Sequence, residues 1–218
     1  DAALPVVGDL TGIDYESLRR VDPTHLLIEP AAGGLPPRLS AMAEQRGWDI
    51  VLLPTLALED VASSAARVAE LFDAKVALDG WERSWQQASS PLASASGERP
   101  LVLIGTDPPA ALGPGSVHHQ MLALLGATPL PREGGAYQQL SLEDVIALDP
   151  TCFVLLAPGE TSDDPDALLG PLMRLDLGAV RARRVVVVRN DMALIPSTSL
   201  VSTMTELRDA FDAMALAP

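Results

Sequence analysis

The stretch Tyr15-Glu-Ser-Leu-Arg-Arg-Val-Asp-Pro-Thr24 decides the fold, because its pattern returns as Leu142-Glu-Asp-Val-Ile-Ala-Leu-Asp-Pro-Thr151. Each copy has Glu in second place and ends in Asp-Pro-Thr, and the copies lie 127 residues apart (142 − 15). Asp14 or Ser141 precedes each copy as a helix N-cap, and Asp-Pro ends the helix because the residue before proline avoids the right-handed helical region. An apolar strand follows each copy. We interpret this as a repeat of two similar lobes.

Short apolar runs alternate with helical patterns on both sides of these stretches. Unbroken apolar runs of this length are typical of parallel strands buried on both faces. The predicted strands are Leu4–Val7, His25–Ile28, Ile50–Leu53, Leu101–Ile104, Phe153–Leu156 and Val185–Val188. This alternation predicts an α/β protein with two Rossmann-like lobes that have mainly parallel sheets.

The middle of the chain has no strand candidate between Leu58 and Ser96, and its apolar residues recur at helical spacing. We therefore predict an N-terminal lobe over residues 1–57, a helical segment over 58–98 and a C-terminal lobe over 99–218. Two similar lobes joined by a long helix favour a ligand cleft between them.

Composition excludes several classes of protein. The 218 residues are 48% hydrophobic, which excludes a disordered chain. A net charge of −14 argues against nucleic acid as a partner, because phosphate binding needs a basic surface. The apolar runs are shorter than the ~18 residues of a membrane span. Cys152 is the single cysteine, so an intrachain disulfide cannot form.

Sequence motifs of catalysis are missing. The chain has no GxSxG elbow, no phosphate-binding loop and no GxGxxG after a strand. His118 and His119 are neighbours that diverge by ~100° on a helix, so they cannot chelate one metal together, and we expect both to be exposed. His25 is expected to be a satisfied buried histidine, and Cys152 a small core residue. The residues therefore predict no enzyme mechanism, no catalytic cofactor and no metal site.

Four segments resemble class III periplasmic substrate-binding proteins, which serve ABC importers of cobalamin, ferric siderophores and haem. They are Leu4-Pro-Val-Val-Gly-Asp9, Gly115–Gly126, Tyr137–Val145 with Asp149-Pro150, and Ala179–Val188. The resemblance implies two α/β lobes bridged by one helix, for which Lys75–Ser90 is the candidate, and a ligand between the lobes. It also implies that the first unit of the N-terminal lobe is missing ahead of Leu4.

The same resemblance implies a docking surface for the permease. Glu16 and Glu143, the glutamates that mark the internal repeat, match the two family glutamates that engage arginines of the permease. Two exposed carboxylates would suit charge-assisted contacts with two arginines. The alternative is that each glutamate only favours its own helix N-terminus.

Ligands of α/β sheets bind beyond the carboxyl ends of the strands. We therefore take the ligand-binding candidates from the loops expected there. They are Asp9, Leu10, Glu29, Gly33, Thr106, Asp107, Tyr137, Gln138, Gly159 and Asn190.

Tyr137 is expected to stack on a flat ligand from such a loop, and the alternative is a tyrosine that packs its loop. Haem binders of this family carry a tyrosine where this chain has Asp9, which argues against haem. Asp9, Glu29 and Asp107 favour a neutral or cationic ligand such as a corrinoid over a bare anionic siderophore.

The sequence thus predicts a non-catalytic solute-binding protein that captures a metal chelate, a cobalamin-like corrinoid or a ferric siderophore, and delivers it to an ABC importer. We expect a periplasmic or extracytoplasmic monomer that meets the membrane only through the permease or a lipid anchor. The alternative is a cytosolic or surface α/β enzyme or sensor that uses the same two-lobe fold without transport.

Overall fold

The computed structural model describes residues 5–9, 12–30 and 33–216. The chain forms two compact units, Asp1–Pro54 (unit 1) and Thr55–Pro218 (unit 2). No helix of the described residues is long and apolar enough to cross a membrane.

Unit 1 combines two small sheets with two helices. Its elements are β1 (Gly8–Asp9), β2 (Gly12–Ile13), α1 (Tyr15–Val21), β3 (His25–Ile28), α2 (Pro37–Arg46) and β4 (Asp49–Leu52). β1 pairs antiparallel with β2, and β3 pairs parallel with β4. The predicted strand Leu4–Val7 is wrong for residues 5–7, which are not in a strand, and Leu4 lies outside the described residues. Both sheets in the described part of unit 1 are two-stranded, β1 with β2 and β3 with β4, and neither includes residues 5–7.

Unit 2 places helices on both faces of one sheet. Its elements are α3 (Leu58–Leu71), α4 (Lys75–Ala88), a 3-10 turn (Ala93–Ala95), β5 (Pro100–Thr106), β6 (Pro109–Leu112), α5 (Val117–Leu124), β7 (Tyr137–Gln139), α6 (Leu142–Leu148), β8 (Cys152–Leu156), α7 (Pro165–Leu169), a second 3-10 turn (Gly170–Arg174), α8 (Gly178–Arg181), β9 (Val185–Val188) and α9 (Leu200–Leu216).

The sheet of unit 2 has the strand order β7-β6-β5-β8-β9. β8 runs parallel to β5 and to β9, whereas β6 is antiparallel to both β5 and β7. Four of the five strands therefore point the same way, and the predicted α/β class with a mainly parallel sheet is confirmed.

Both faces of this sheet are buried, which explains the unbroken apolar strands. Leu101 and Leu103 of β5 pack with Phe153 and Leu155 of β8 in a core that includes α6, α7 and α8. Val102 faces the other way, into a core that includes α5 and α9. A strand with helices on both sides has no polar face, so its sequence does not alternate.

The sequence repeat is also a structural repeat. α1 and α6 both end at an aspartate in the left-handed conformation, Asp22 with φ 48° and Asp149 with φ 46°. An arginine contacts each of these carboxylates: Arg46 Nη1 lies 3.5 Å from Asp22, and Arg99 Nη2 lies 3.0 Å from Asp149. A parallel strand pair follows each helix, β3 with β4 and β8 with β9.

The candidate bridging helix forms as α4, and it packs against α3 and α9 within unit 2. The ring centroids of Trp81 and Trp85 lie 6.2 Å apart in a stacked arrangement. Trp81 Nε1 donates a 2.9 Å hydrogen bond to the carbonyl of Thr198, ahead of α9. The role of α4 as a bridge between lobes stays a prediction.

Candidate functional site

The parallel strands β5, β8 and β9 of unit 2 end at one edge of the sheet, which we call the carboxyl edge. The segments at this edge are residues 106–109, 157–163 and 189–195. The backbone joins two of these loops directly, because Ala157 N donates to Val188 O at 2.9 Å and Gly159 N donates to Arg189 O at 3.2 Å. Thr106 and Asp107 lie where the β5–β6 hairpin turns. The structure therefore places Thr106, Asp107, Gly159 and Asn190 on one edge.

The side chain of Asn190 is held by α9. Its Nδ2 donates to Glu206 Oε2 at 2.9 Å and to Thr203 Oγ1 at 3.2 Å. The other oxygen of Glu206 accepts a 2.7 Å hydrogen bond from the backbone N–H of Arg189. Asn190 thus fixes the start of the loop that follows β9, and its ligand role stays a prediction.

Arg189 fixes the neighbouring loop. Its guanidinium donates to the carbonyls of Glu160 at 3.0 Å and Ser162 at 2.6 Å, and to Asp163 Oδ1 at 2.8 Å. Hydrogen bonds from the backbone N–H groups of Ser162 and Thr161 lower the pKa of the Glu160 carboxyl. Arg189 and these backbone hydrogen bonds therefore hold residues 160–163 in place. A surface that is ordered in advance loses less conformational entropy when a ligand binds.

An apolar surface follows β9 on the same edge, and sequence reasoning missed it. Met192, Leu194 and Ile195 are 42%, 42% and 47% exposed, although each is a large apolar residue. Between them, Ala193 is fully buried. The available signal was the apolar run Met192-Ala-Leu-Ile195 placed directly after a strand, which a surface loop does not ordinarily carry.

His118 anchors this apolar surface. Its Nε2 donates to the carbonyl of Ala193 at 2.6 Å, and burial lowers the pKa of the imidazole. His119 donates from Nε2 to the carbonyl of Pro131 at 3.0 Å. The prediction that both histidines are exposed is wrong, because α5 packs on the sheet and turns His118 toward the loop after β9. His25 is half-buried and bonded to Thr24 Oγ1 at 2.9 Å, so it is satisfied but not fully buried.

The sequence predicted that Tyr137 and Gln138 lie on a loop at the carboxyl edge, and this placement is wrong. They lie in strand β7, where Tyr137 pairs with Leu112 while Thr106 pairs with Pro109. Three residues of strand separate those two levels, which is about 10 Å along the strand direction. The prediction failed because the antiparallel strand β6 carries the chain back toward the start of β5. The ligand roles of Tyr137 and Gln138 stay predictions.

Gln138 holds the turn before β7. Its Nε2 donates to the carbonyls of Glu133 at 2.9 Å and Gly135 at 3.1 Å. Gly134 has φ 100°, and a Cβ there would lie 2.5 Å from Gln138 Nε2. The positive φ thus favours glycine at this position.

The remaining ligand candidates lie in unit 1. Asp9 ends β1, Glu29 follows β3 and Gly33 precedes α2, and all three are exposed. Leu10 lies outside the described residues. Glu29 follows the carboxyl end of β3, as predicted, and the neighbouring strand is joined there by Leu53 N, which donates to Ile28 O at 2.9 Å.

Glu16 and Glu143 occupy equivalent places in the two units. Each is the second residue of its helix, and each is exposed. Glu16 Oε1 lies 3.1 Å from Arg20 Nη2, whereas Glu143 has no ion pair within the described part of the chain.

Neither glutamate is needed as a cap. The carboxylate of Asp14 accepts from the N–H groups of Glu16 and Ser17 at 3.0 and 3.1 Å, and Ser141 forms a capping box with Asp144. These hydrogen bonds lower the pKa of the Asp14 carboxyl, mainly through Ser17, and of the Asp144 carboxyl, mainly through the backbone N–H of Ser141. Neither carboxylate is therefore used as a cap, although each can favour its helix dipole. Glu16 keeps its contact with Arg20.

Groups suited to metal or nucleophilic chemistry are scarce. Across residues 5–9, 12–30 and 33–216, no three His, Cys, Asp or Glu side chains are grouped to hold a metal ion. Cys152 is buried in the core, as predicted, and desolvation raises the pKa of its thiol to about 12.

No protein-family model matches the chain, and no curated protein matches it in sequence. Solved structures match it in fold. The periplasmic haem-binding protein HutB of Vibrio cholerae superposes with a TM-score of 0.74 at 19% identity, over 96% of this chain and 84% of HutB. The vitamin B12 binding protein BtuF of Vibrio cholerae gives 0.73 at 18%, over 97% and 82%.

A third similar structure is an ABC-type Fe3+-hydroxamate transport system from Saccharomonospora viridis, with a TM-score of 0.63 at 23% identity, over 90% of this chain and 71% of that chain. The three proteins are named for three different metal chelates. The chain therefore has the fold of the class III periplasmic substrate-binding proteins.

Proposed function

We propose that the protein is an extracytoplasmic substrate-binding protein. It captures a metal chelate, a cobalamin-like corrinoid or a ferric siderophore, and delivers it to an ABC importer without catalysing a reaction. The observation that carries this proposal is the fold, shared over 96% and 97% of the chain with periplasmic binding proteins for haem and vitamin B12.

The carboxyl edge of unit 2 supplies the ligand surface in this proposal. Met192, Leu194 and Ile195 offer an apolar contact for a corrin ring or the hydrocarbon part of a siderophore. Thr106 and Asp107 offer an acceptor and a negative charge on the same edge, at the end of β5, which β8 separates from β9. This combination favours a neutral or cationic chelate.

The unit 1 candidates Asp9, Leu10, Glu29 and Gly33 are retained as ligand contacts in the proposal. The position of the ligand in a cleft between the two lobes stays a prediction.

A thermal-shift screen tests the ligand class. The purified full-length gene product is mixed with cobalamin, cobinamide, haemin or ferrioxamine B, with metal-free desferrioxamine as a matched control. A ligand at 100 times its dissociation constant stabilises the native state by about 2.7 kcal/mol, which raises the Tm by roughly 5–10 °C in a domain of this size. A rise with cobalamin, cobinamide or ferrioxamine B supports the proposal. A rise with haemin alone contradicts the proposed ligand class, and silence with all four metal chelates contradicts the whole proposal.

Docking through Glu16 and Glu143 is tested separately in an uptake assay with cells that carry the permease. The double substitution Glu16→Gln, Glu143→Gln is expected to abolish uptake and to leave chelate affinity unchanged, because both carboxylates are exposed. The matched control is Glu44→Gln with Glu82→Gln, two other exposed helix glutamates, one in each unit. Normal uptake by the first pair removes the docking role.

A further inference from the structure

A basic groove of about 550 Å³ lies between α1 and α2 in unit 1. We call it the arginine groove, because Arg19, Arg20, Arg38 and Arg46 line it together with Tyr15 and Glu16. Four guanidinium groups and one carboxylate give this lining a charge of +3, in a chain whose net charge is −14. Such a local reversal of sign marks a surface that attracts anionic groups.

Helix stability accounts for three of these arginines but not for the fourth. Arg19, Arg20 and Arg46 lie in the last turns of their helices, where a cation favours the helix dipole. Arg38 lies in the first turn of α2, where a cation is unfavourable, and that turn has neither an acidic residue nor a side-chain cap. The helix dipole therefore does not explain Arg38.

Tyr15 holds Arg38 at the groove. The guanidinium carbon of Arg38 lies 4.2 Å from the centroid of the Tyr15 ring, which is cation–π geometry. This contact fixes the direction of the side chain and leaves the guanidinium edge, with its N–H donors, for another group.

Two of the four arginines have no carboxylate partner. Arg20 pairs with Glu16 at 3.1 Å, and Arg46 contacts Asp22 at 3.5 Å. Arg19 and Arg38 form no ion pair with any residue that the structure describes. Arg38 and Arg46 are eight residues apart on α2, about 12 Å along the helix. The groove is thus suited to an extended group with several carboxylates rather than to a single small anion.

The helix of unit 2 that corresponds to α1, which is α6, lacks these charges. At the offset of 127 residues, Leu142 replaces Tyr15, Ile146 replaces Arg19 and Ala147 replaces Arg20, while the glutamate is kept. Ile146 is 49% exposed, so an apolar side chain faces solvent where unit 1 has a cation. The two glutamate surfaces are therefore different in chemistry.

We propose that the arginine groove receives an acidic segment of the permease, next to the permease arginine that pairs with Glu16. This inference rests on the proposed docking function. Its occupant is a protein segment, because the groove is continuous with the proposed docking residue Glu16, and a partner that carries both signs matches a lining of four guanidinium groups and one carboxylate. Unit 1 would then dock through charges of both signs, and unit 2 through its glutamate alone.

A titration followed by nuclear magnetic resonance tests the groove. The ¹⁵N-labelled protein receives the acidic peptide acetyl-Asp-Glu-Gly-Asp-Glu-amide, with acetyl-Asn-Gln-Gly-Asn-Gln-amide as the uncharged control. We expect the acidic peptide alone to shift resonances of α1 and α2 and to leave α6 unchanged. The substitution Arg19→Gln with Arg38→Gln should weaken peptide binding at least tenfold and lower uptake in cells that carry the permease.

The control variant is Arg67→Gln with Arg83→Gln, which removes the same charge from exposed positions of α3 and α4. It should bind the peptide and support uptake as the native protein does. The inference is overturned if the acidic peptide does not bind, if both double variants behave alike, or if inorganic phosphate or vesicles with phosphatidylglycerol produce the same shifts as the peptide.

The chelate screen separates this inference from the proposed function. If a chelate raises the Tm and the peptide does not bind, the groove inference alone fails. If the peptide binds and the chelate screen is silent, the proposed function fails. The groove then binds acidic segments, but the assignment of its occupant to a permease fails with the proposed function.

Discussion

Glu206 of α9 holds the loop that carries much of the proposed ligand surface, so Glu206→Gln should destabilise the protein. The two carboxylate oxygens accept from Arg189 N at 2.7 Å, Asn190 Nδ2 at 2.9 Å and Asn190 N at 3.4 Å. A glutamine keeps one acceptor oxygen and presents a donor NH₂ where the second acceptor was. One donor of the loop is then left facing another donor.

The size of the effect follows from these contacts. Replacing a charged acceptor by a neutral one and leaving one half-buried donor unsatisfied costs about 2–4 kcal/mol. For a domain of this length that loss lowers the Tm by roughly 4–16 °C. The same change should speed amide exchange at Arg189 or at Asn190, because one of these two N–H groups loses its acceptor oxygen.

Urea unfolding and amide exchange measure both effects. The matched control is Asp209→Asn, which removes one carboxylate charge from an exposed position of the same helix and should change stability by less than about 0.5 kcal/mol. Two results would contradict the proposed role of Glu206 in holding the loop. One is that the Glu206→Gln variant is as stable as the Asp209→Asn variant. The other is that the amides of Arg189 and Asn190 exchange as slowly in the Glu206→Gln variant as in the native protein.

Four further outcomes are expected. Met192→Ser with Ile195→Ser should weaken chelate binding at least tenfold with an unchanged Tm, since both side chains are exposed. If the variant and the native protein bind the chelate with equal affinity in a titration, the proposed apolar contact is wrong. Burial lowers the pKa of His118, so the folded protein keeps the imidazole neutral while the unfolded chain takes up the proton near the ordinary value of 6.5. Stability should therefore fall as the pH drops below about 6.5. His118→Gln should flatten this pH dependence in urea titrations at several pH values. Cys152 should not react with a disulfide reagent at pH 8 in the native protein and should react fully in urea, because its pKa is about 12 in the fold. Ser141→Ala should cost about 1 kcal/mol in urea unfolding through the lost cap. It should reduce, without abolishing, the stability lost as the pH falls through the lowered pKa of Asp144, because the hydroxyl bond to Asp144 is lost while the larger effect of the backbone N–H at position 141 on that pKa remains.

The strands with unbroken apolar sequences could be predicted well. His25–Ile28 and Val185–Val188 form over the predicted residues, and the other two strands of the unit 2 core begin one residue earlier than predicted. The apolar runs of unit 2 are continuous because helices cover both sides of its sheet. β6 and β7 were missed, since Pro109-Ala-Ala-Leu112 and Tyr137-Gln-Gln139 carry few of the β-branched residues that mark strands.

The candidate site was harder to predict, because its geometry depends on contacts between distant segments. Nothing near Asn190 in the sequence indicates that Glu206 holds its side chain, and the pair of histidines gives no sign that His118 reaches Ala193. Tyr137 was misplaced because the prediction assumed that every loop follows a parallel strand. Thr106 and Gly159 were placed correctly, since they directly follow recognisable strands.

Hydrogen exchange with and without the most stabilising chelate tests the central claim most directly. If the protein is a chelate-binding protein with its ligand on the carboxyl edge of unit 2, the chelate should protect the amides of residues 106–107, 159–161 and 191–195 and leave α6 unchanged. Protection that appears only outside these three segments, or no protection with any of the four chelates, contradicts the claim.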